Sequence, residues 1–413
     1  MNALEKQGRN VLALPDFRRL WLIGLLLSVA RWLEMLVVGV VVFQHTGSAF
    51  LVATMTLLRL LPLGLFGALL GVLADRLPRR SALLGVLALQ GCTIGALALL
   101  AFAGTLAVWQ LALASFLSGL GWATDNPVRR MLVGESVGPA RMGSAMSLDV
   151  MANNASRVAG PALGGTLLAM LGLGMAFGLG VVLYLVAFAA ALGVTIGRHA
   201  APPRRERVLS ELRGSFALAL SRKRLRAVLL VTVIYNMFGW PCSSMVPVIG
   251  QASLGLGPEG IGVLASMEGV GALLGALLVG FIARPQRQAK IYLSGAVVYL
   301  LAAICFALAP HPVLAGSALL LGGVGGALFA TMQATLVYLA APPEVRARAF
   351  GLLSTAIGSG LLGFLQLGIM AELIGAPAAT ALVALEGLVA LAATRRLWME
   401  LLRDGPGTDV SHL

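Results

Sequence analysis

Long apolar runs recur along this chain with a regularity that leaves few folds open. A bilayer crossing by an α-helix takes roughly 20 consecutive apolar residues, and the sequence supplies about twelve such runs. They lie at roughly 20–44, 51–73, 81–103, 108–133, 141–170, 174–196, 226–250, 257–283, 290–309, 312–340, 348–373 and 376–398. Only 11% of the 413 residues are charged, against about 25% in soluble domains. The first run is too long for a signal-peptide core and has no small-residue cleavage site after it, so it is expected to remain as a helix. The expected fold is an all-α membrane protein with twelve transmembrane helices.

The net charge of +13 raises the question of nucleic acid, and its distribution answers it. If both termini are cytoplasmic, every Lys and Arg except Arg31, Arg59 and Arg157 falls in a cytoplasmic segment or an adjoining helix end, and the outer loops hold none. That asymmetry is the positive-inside signature. The charge therefore labels topology, with some attraction to anionic lipid heads, and nucleic acid is not a partner. Cys92, Cys242 and Cys305 are scattered over separate spans. They read as buried apolar thiols, with no disulfide or metal site.

The longest polar stretch divides the chain into a first six-span half (1–197), a cytoplasmic linker (198–225) and a second six-span half (226–413). Within the linker Leu209, Leu212, Phe216 and Leu220 recur at helical spacing. A short surface helix and a flexible linker both fit. The halves echo one another: G-A-L-L-G at 67–71 returns at 271–275, each time before a basic loop. The first of these loops is the more specific. Gly67 to Arg80 places Asp75, Arg76, Arg79 and Arg80 between two spans, and its glycines four apart let a neighbouring backbone come close.

This stretch resembles the signature loop between helices 2 and 3 of the major facilitator superfamily, with Pro78 where that family often has Gly. The fifth span adds a second signature. Asp149, Asn153 and Arg157 form one polar stripe at i, i+4 and i+8. Gly160, Gly164 and Gly165 clear space for a packed helix, and Pro161 bends the axis. The run G-P-x-x-G-G is similar to the antiporter motif of drug–proton exporters of the superfamily. T-G-S-A at 46–49, D-N-P-V-R-R at 125–130 and P-E-V-R-A-R-A-F-G-L-L at 343–353 extend the resemblance to the branch that includes the enterobactin exporter and the macrolide efflux proteins. The resemblance implies two six-helix halves with pseudo-two-fold symmetry, a mid-membrane site and alternating access. One departure counts: many drug–proton exporters carry an Arg in the middle of helix 4, and Trp109 to Thr124 contain none.

Charges inside the spans each call for a partner or a task, because one at bilayer centre costs about 2.5–3.5 kcal/mol on insertion scales. At 1.5 Å per residue, Glu34 and Arg59 both lie roughly 21 Å from the inner end of their spans, with Arg31 one turn away from Glu34. A cluster of Arg31, Glu34 and Arg59 is expected. Either Glu34 exchanges a proton or meets a cationic substrate, or the cluster is a static pair fixing the first two spans. Glu268, about 22 Å deep with no basic neighbour in sequence, is the stronger single candidate for a protonatable site. Asp149 is a third, and Glu386 ranks lower because helix 12 is peripheral in the resembled fold. Asp125, Asp149, Arg129 and Arg130, nearer the inner side, are expected to join Asp75, Arg76, Arg79 and Arg80 in a cytoplasmic gate. Tyr235, Asn236, Trp240, Gln333 and Tyr338 are candidates to line a substrate cavity with Arg31, Glu34 and Arg59.

These readings converge on a monomeric exporter in the bacterial inner membrane, both termini cytoplasmic. It moves an amphipathic small molecule, a drug or siderophore, in exchange for protons. No cofactor is expected, and no G-x-x-x-x-G-K-[ST] loop is present to make ATP the direct energy source. The alternative is a lysophospholipid flippase or other lipid carrier of the same fold. A membrane enzyme is disfavoured because no clustered His, Cys or carboxylate set stands out.

Overall fold

The computed structural model describes residues 11–76, 78–138, 141–197, 222–341 and 345–403, the side chains of 65–76, 347, 348, 400 and 403 excepted. The described residues hold no strand. Helix α1 spans Pro15–Thr46, α2 Ala49–Arg76, α3 Arg79–Phe102 and α4 Val108–Val137. A helical run then covers Met142–Leu192, too long for one crossing. It is broken at Gly172, whose φ of 81° is a left-handed conformation that a Cβ would disfavour. The break yields α5 (142–171) and α6 (173–192), close to the two spans expected there.

The second set starts with α7, Lys223–Ala252, followed by α8 at Pro258–Ile282 and α9 at Gln288–Ala307. Helix α10 is Pro312–Ala340, α11 covers 346–374 with an interruption at Ser359, and α12 is Ala376–Ala393. Twelve helices therefore cross in two sets of six. The start of α7 takes in the last residues of the segment expected as linker. Residues 198–221, including the helical-spacing leucines, lie outside the described residues.

Helix α7 is irregular where the others are regular. Its α-helix gives way to a π-helical turn at Tyr235–Gly239 and a 3-10 stretch at Trp240–Met245 before resuming. Pro241 and Pro247 lack the N–H that a continuous ladder would use, which is the local cause.

Two compact units emerge from the contacts: Met1–Gly47 with Thr54–Arg204 and Leu256–Ser266, and Ser48–Ala53 with Arg205–Gly255 and Met267–Leu413. In the first, Phe17, Leu20, Ile23, Leu27 and Leu33 of α1 are fully buried, as are Leu83, Leu87 and Phe177. In the second, the core is aromatic: Tyr292 stacks on Phe329 (centroids 4.8 Å apart), which stacks on Tyr235 (3.8 Å). Outside these cores the helices present bare apolar side chains, Phe281 at 85% exposure and Leu373 at 77% among them. Such a surface is unfavourable in water and ordinary in hydrocarbon, so this is a multi-pass membrane protein.

The cysteines correct one expectation. Cys242 is buried, but Cys92 and Cys305 are exposed on their helices. A thiol facing lipid needs no protein to cover it, so an apolar span does not imply protein burial. In the native protein solubilised in mild detergent, where water reaches exposed helix faces, a maleimide should therefore label Cys92 and Cys305 faster than Cys242, which should react only after denaturation. Mass spectrometry of the labelled peptides checks this; prompt native labelling of Cys242 would contradict the packing.

Candidate intramembrane charge site

The first unit gathers three ion pairs around α1, α2, α4 and α5. Arg59 of α2 donates from Nη2 to Glu34 Oε2 at 3.2 Å, with both side chains nearly inaccessible. Ser118 of α4 donates to the same oxygen at 3.1 Å. The other oxygen, Oε1, is buried. The buried Tyr184 of α6 lies beside this carboxylate. Gly119 makes the approach possible: a Cβ there would stand 2.9 Å from the Arg59 carbonyl carbon, so α4 and the α2 backbone meet only because it is absent.

Arg31 takes a different partner from the one its spacing implied. Its Nη2 meets Asp125 Oδ2 of α4 at 3.2 Å, and its guanidinium lies 4.9 Å over the Trp122 ring. Three residues along a helix turn a side chain by about 60°, enough to aim Glu34 at α2 and Arg31 at α4. The two pairs remain linked, because Arg59 Nη1 also donates to the Arg31 carbonyl at 3.4 Å. The third pair is Arg129 Nη1 with Asp149 Oδ1 at 2.5 Å, joined by Arg130 Nε at 4.0 Å. Three buried carboxylates thus face three buried or half-buried arginines, with the exposed Arg130 at the margin.

The residues expected at the gate are thus distributed. Asp125 and Asp149 are held by Arg31 and Arg129. Arg79 pairs with Glu135, and Arg80 donates to the Leu192 carbonyl at 2.7 Å. The side chains of Asp75 and Arg76 lie outside the described residues.

In α5, Gly160 fits against Trp32 and the backbone of α1, where a Cβ would come within 2.6 Å of the Trp32 Cβ. Gly164 fits against Leu33, and Gly165 against Pro258 and Gly262 at the start of α8. Pro161 is buried, Asn153 is exposed, and Arg157 lies 5.0 Å over the Trp32 ring.

In the second unit the candidate cavity residues make a packed, hydrogen-bonded set. Asn236 donates to the Thr232 carbonyl (2.9 Å) and Gln333 to the Thr232 hydroxyl (3.0 Å), which also meets Tyr292 (2.9 Å). Trp240 sets its edge on Phe364. Tyr338 is exposed and takes Arg346 over its ring and on its hydroxyl. Glu268 borders a cavity of about 20 Å³, room for a water molecule, together with Cys242, Ser243, Tyr299 and apolar side chains. Glu386 accepts from Gln366 at 2.6 Å. No group of three or more metal-ligating side chains occurs among the described residues.

Sequence reading missed Ser118, Trp122, Tyr184 and Glu135. The first three sit in spans where a hydroxyl or an aromatic is unremarkable. Glu135, 56 residues from Arg79, carries no local signal for that pairing.

Among the described residues, twelve apolar helices in two sets of six, with paired charges buried inside the first set, make a membrane protein of the major facilitator architecture. Solved transporters share the fold. A bacterial homologue of the human lysosomal transporter Spinster superposes with a TM-score of 0.70 at 17% identity, covering 94% of this chain and 96% of that one. A POT family transporter bound to 5-aminolevulinic acid gives 0.76 at 13%, covering 93% and 96%. Over residues 10–404 the sequence matches the family described as transmembrane secretion effector, and the chain belongs to it. The enterobactin exporter EntS of Salmonella typhi is 30% identical over 77% of this chain and 76% of its own length. Macrolide efflux protein A of Streptococcus pyogenes is 26% identical over 61% of this chain and 64% of its own length, so the match spans less than two thirds of that relative.

Proposed function

We propose that this protein exports an amphipathic small molecule across the bacterial inner membrane by proton antiport and alternating access, with both termini cytoplasmic. The observation that carries the reading is the Glu34–Arg59–Ser118 group. A carboxylate buried in an apolar bundle is costly to keep there even with Arg59, Ser118 and Tyr184 around it. A site that accepts a proton or a substrate N–H during its cycle gives that cost a use. The roles of the relatives, macrolide efflux and enterobactin export, place drugs and siderophores among the substrates to test.

Glu268 is the second coupling candidate, and Asp75 with Arg76, Arg79 and Arg80, its neighbours in sequence, is the cytoplasmic gate. The test is fluorescent-dye efflux from bacteria expressing wild type, Asp75→Asn or Glu268→Gln, each with and without a protonophore. Energy-dependent efflux by wild type, lost in both variants, is the expected result. Loss in Asp75→Asn alone removes Glu268 from coupling. No efflux of dyes, macrolides or siderophores by well-expressed wild type would overturn the export reading, and lysophospholipid transport would be measured next.

A further inference from the structure

We propose that Trp122 and Asp125 form a cation-recognition box that the protein's own Arg31 plugs, and that a substrate's protonated amine takes the place of the Arg31 guanidinium. This rests on the export reading and adds to it the charge of the substrate and the residue that gates the site.

A ring face and a carboxylate set side by side are what an organic cation requires: the ring attracts it through its quadrupole and the carboxylate through charge and an N–H hydrogen bond. Arg31 now makes both contacts, 4.9 Å over Trp122 and 3.2 Å from Asp125. The plug leaves capacity in the box: Asp125 is 2% exposed, and apart from Arg31 on Oδ2 its carboxylate has only the Asn126 backbone N–H as a hydrogen-bond donor, with Oδ1 buried. Arg31 is the more accessible partner of the pair: its side chain keeps 16% exposure where that of Asp125 keeps 3%. Its backbone lies within helix α1, so only the side chain has to swing. The other charged groups acting on Asp125 are Arg129 and Asp149, which are committed to each other at 2.5 Å. A monocation entering as Arg31 leaves therefore keeps the local charge constant. A dianion would have to face Asp125 and has no such exchange.

The expectation for Arg31 is a gain of function. With the full chain in lipid nanodiscs, binding of the cationic dye rhodamine 6G and the anionic dye fluorescein would be titrated by fluorescence polarisation, with thermal melting as a folding check. Arg31→Gln should tighten rhodamine 6G about fivefold or more, while Trp122→Ala and Asp125→Asn weaken it about tenfold, the size of one ion pair or ring contact. Fluorescein binding should not tighten in Asp125→Asn. If Arg31→Gln does not fold, Arg31→Lys, which keeps the charge and loses the planar stack, should tighten rhodamine 6G about twofold. Weaker rhodamine 6G binding in the folded Arg31 variants, or no binding of this dye by wild type and Arg31 variants alike, would overturn the box. Fluorescein binding lost with Arg31 would also overturn it, making Arg31 itself an anion ligand. Because these are binding measurements, the box can stand where export fails, or fall where export holds.

Discussion

Replacing Glu34 with leucine should both unfold the protein at lower temperature and stop transport, and a second substitution should separate the two effects. In Glu34→Leu the Arg59 guanidinium, 5% exposed, keeps its burial and loses its carboxylate. Removing one partner of a buried pair costs about 3–5 kcal/mol, because the survivor stays charged in a low-dielectric setting. The Ser118 hydroxyl can accept a hydrogen bond but carries no negative charge, so it does not replace the carboxylate, and the Arg31 carbonyl offers only a 3.4 Å contact. The double variant Glu34→Leu/Arg59→Leu removes both charges and fills similar volume, a replacement that is often neutral. It should recover most of the melting temperature in detergent while dye efflux stays abolished. Efflux restored along with stability would show that the pair only holds α1, α2 and α4 together. A single variant as stable as wild type would show that Arg59 finds another partner.

How much of this was legible beforehand depends on range. The spans are, because a run of apolar residues is a local property and the bilayer sets its length. The break between α5 and α6 is also local, falling at Gly172, two residues before a second glycine. The involvement of Arg31, Glu34 and Arg59 is legible too, since a charge in an apolar run is conspicuous and depth follows from the helical rise. What sequence could not give is pairing. Whether Arg31 meets Glu34 or Asp125 turns on about 60° of helix rotation, and that is fixed by tertiary contacts such as Gly119 on Arg59 and Gly160 on Trp32. The aromatic side of the site was invisible for a related reason. Trp32 and Trp122 look like ordinary span residues until an arginine is found over each ring. The irregular stretch of α7 lies between, with two prolines that announce a disturbance and nothing in the sequence that says it takes π-helical form first.

Glycine-to-valine substitution at 165 is expected to stop transport more completely than a smaller change at Gly24, and the difference lies in what each glycine touches. At Gly24 a Cβ would stand 2.7 Å from the Arg129 Cζ, the far end of a long side chain that can withdraw. At Gly165 it would meet the Pro258 carbonyl oxygen at 2.5 Å and the Gly262 Cα at 2.8 Å, both backbone. The fit is mutual, since a Cβ on Gly262 would stand 2.6 Å from the Pro161 carbonyl oxygen. Nothing there can rotate away, so α5 and the first turns of α8 must part. Overpacking of this kind costs about 1–3 kcal/mol even where neighbours can adjust, and a membrane interface built on small residues loses its close approach altogether. Gly165→Val should therefore lower the melting temperature and reduce dye efflux at least about tenfold. Gly24→Ala should retain part of the efflux, its deficit tracking the loss of the Arg129–Asp149 pair. Cysteine pairs placed on α5 and α8 near Gly165 and Gly262 would cross-link in the wild-type background and fail to do so in the Gly165→Val background. Equal cross-linking in both backgrounds, with efflux intact, would show that α8 reaches α5 through contacts other than this glycine pair.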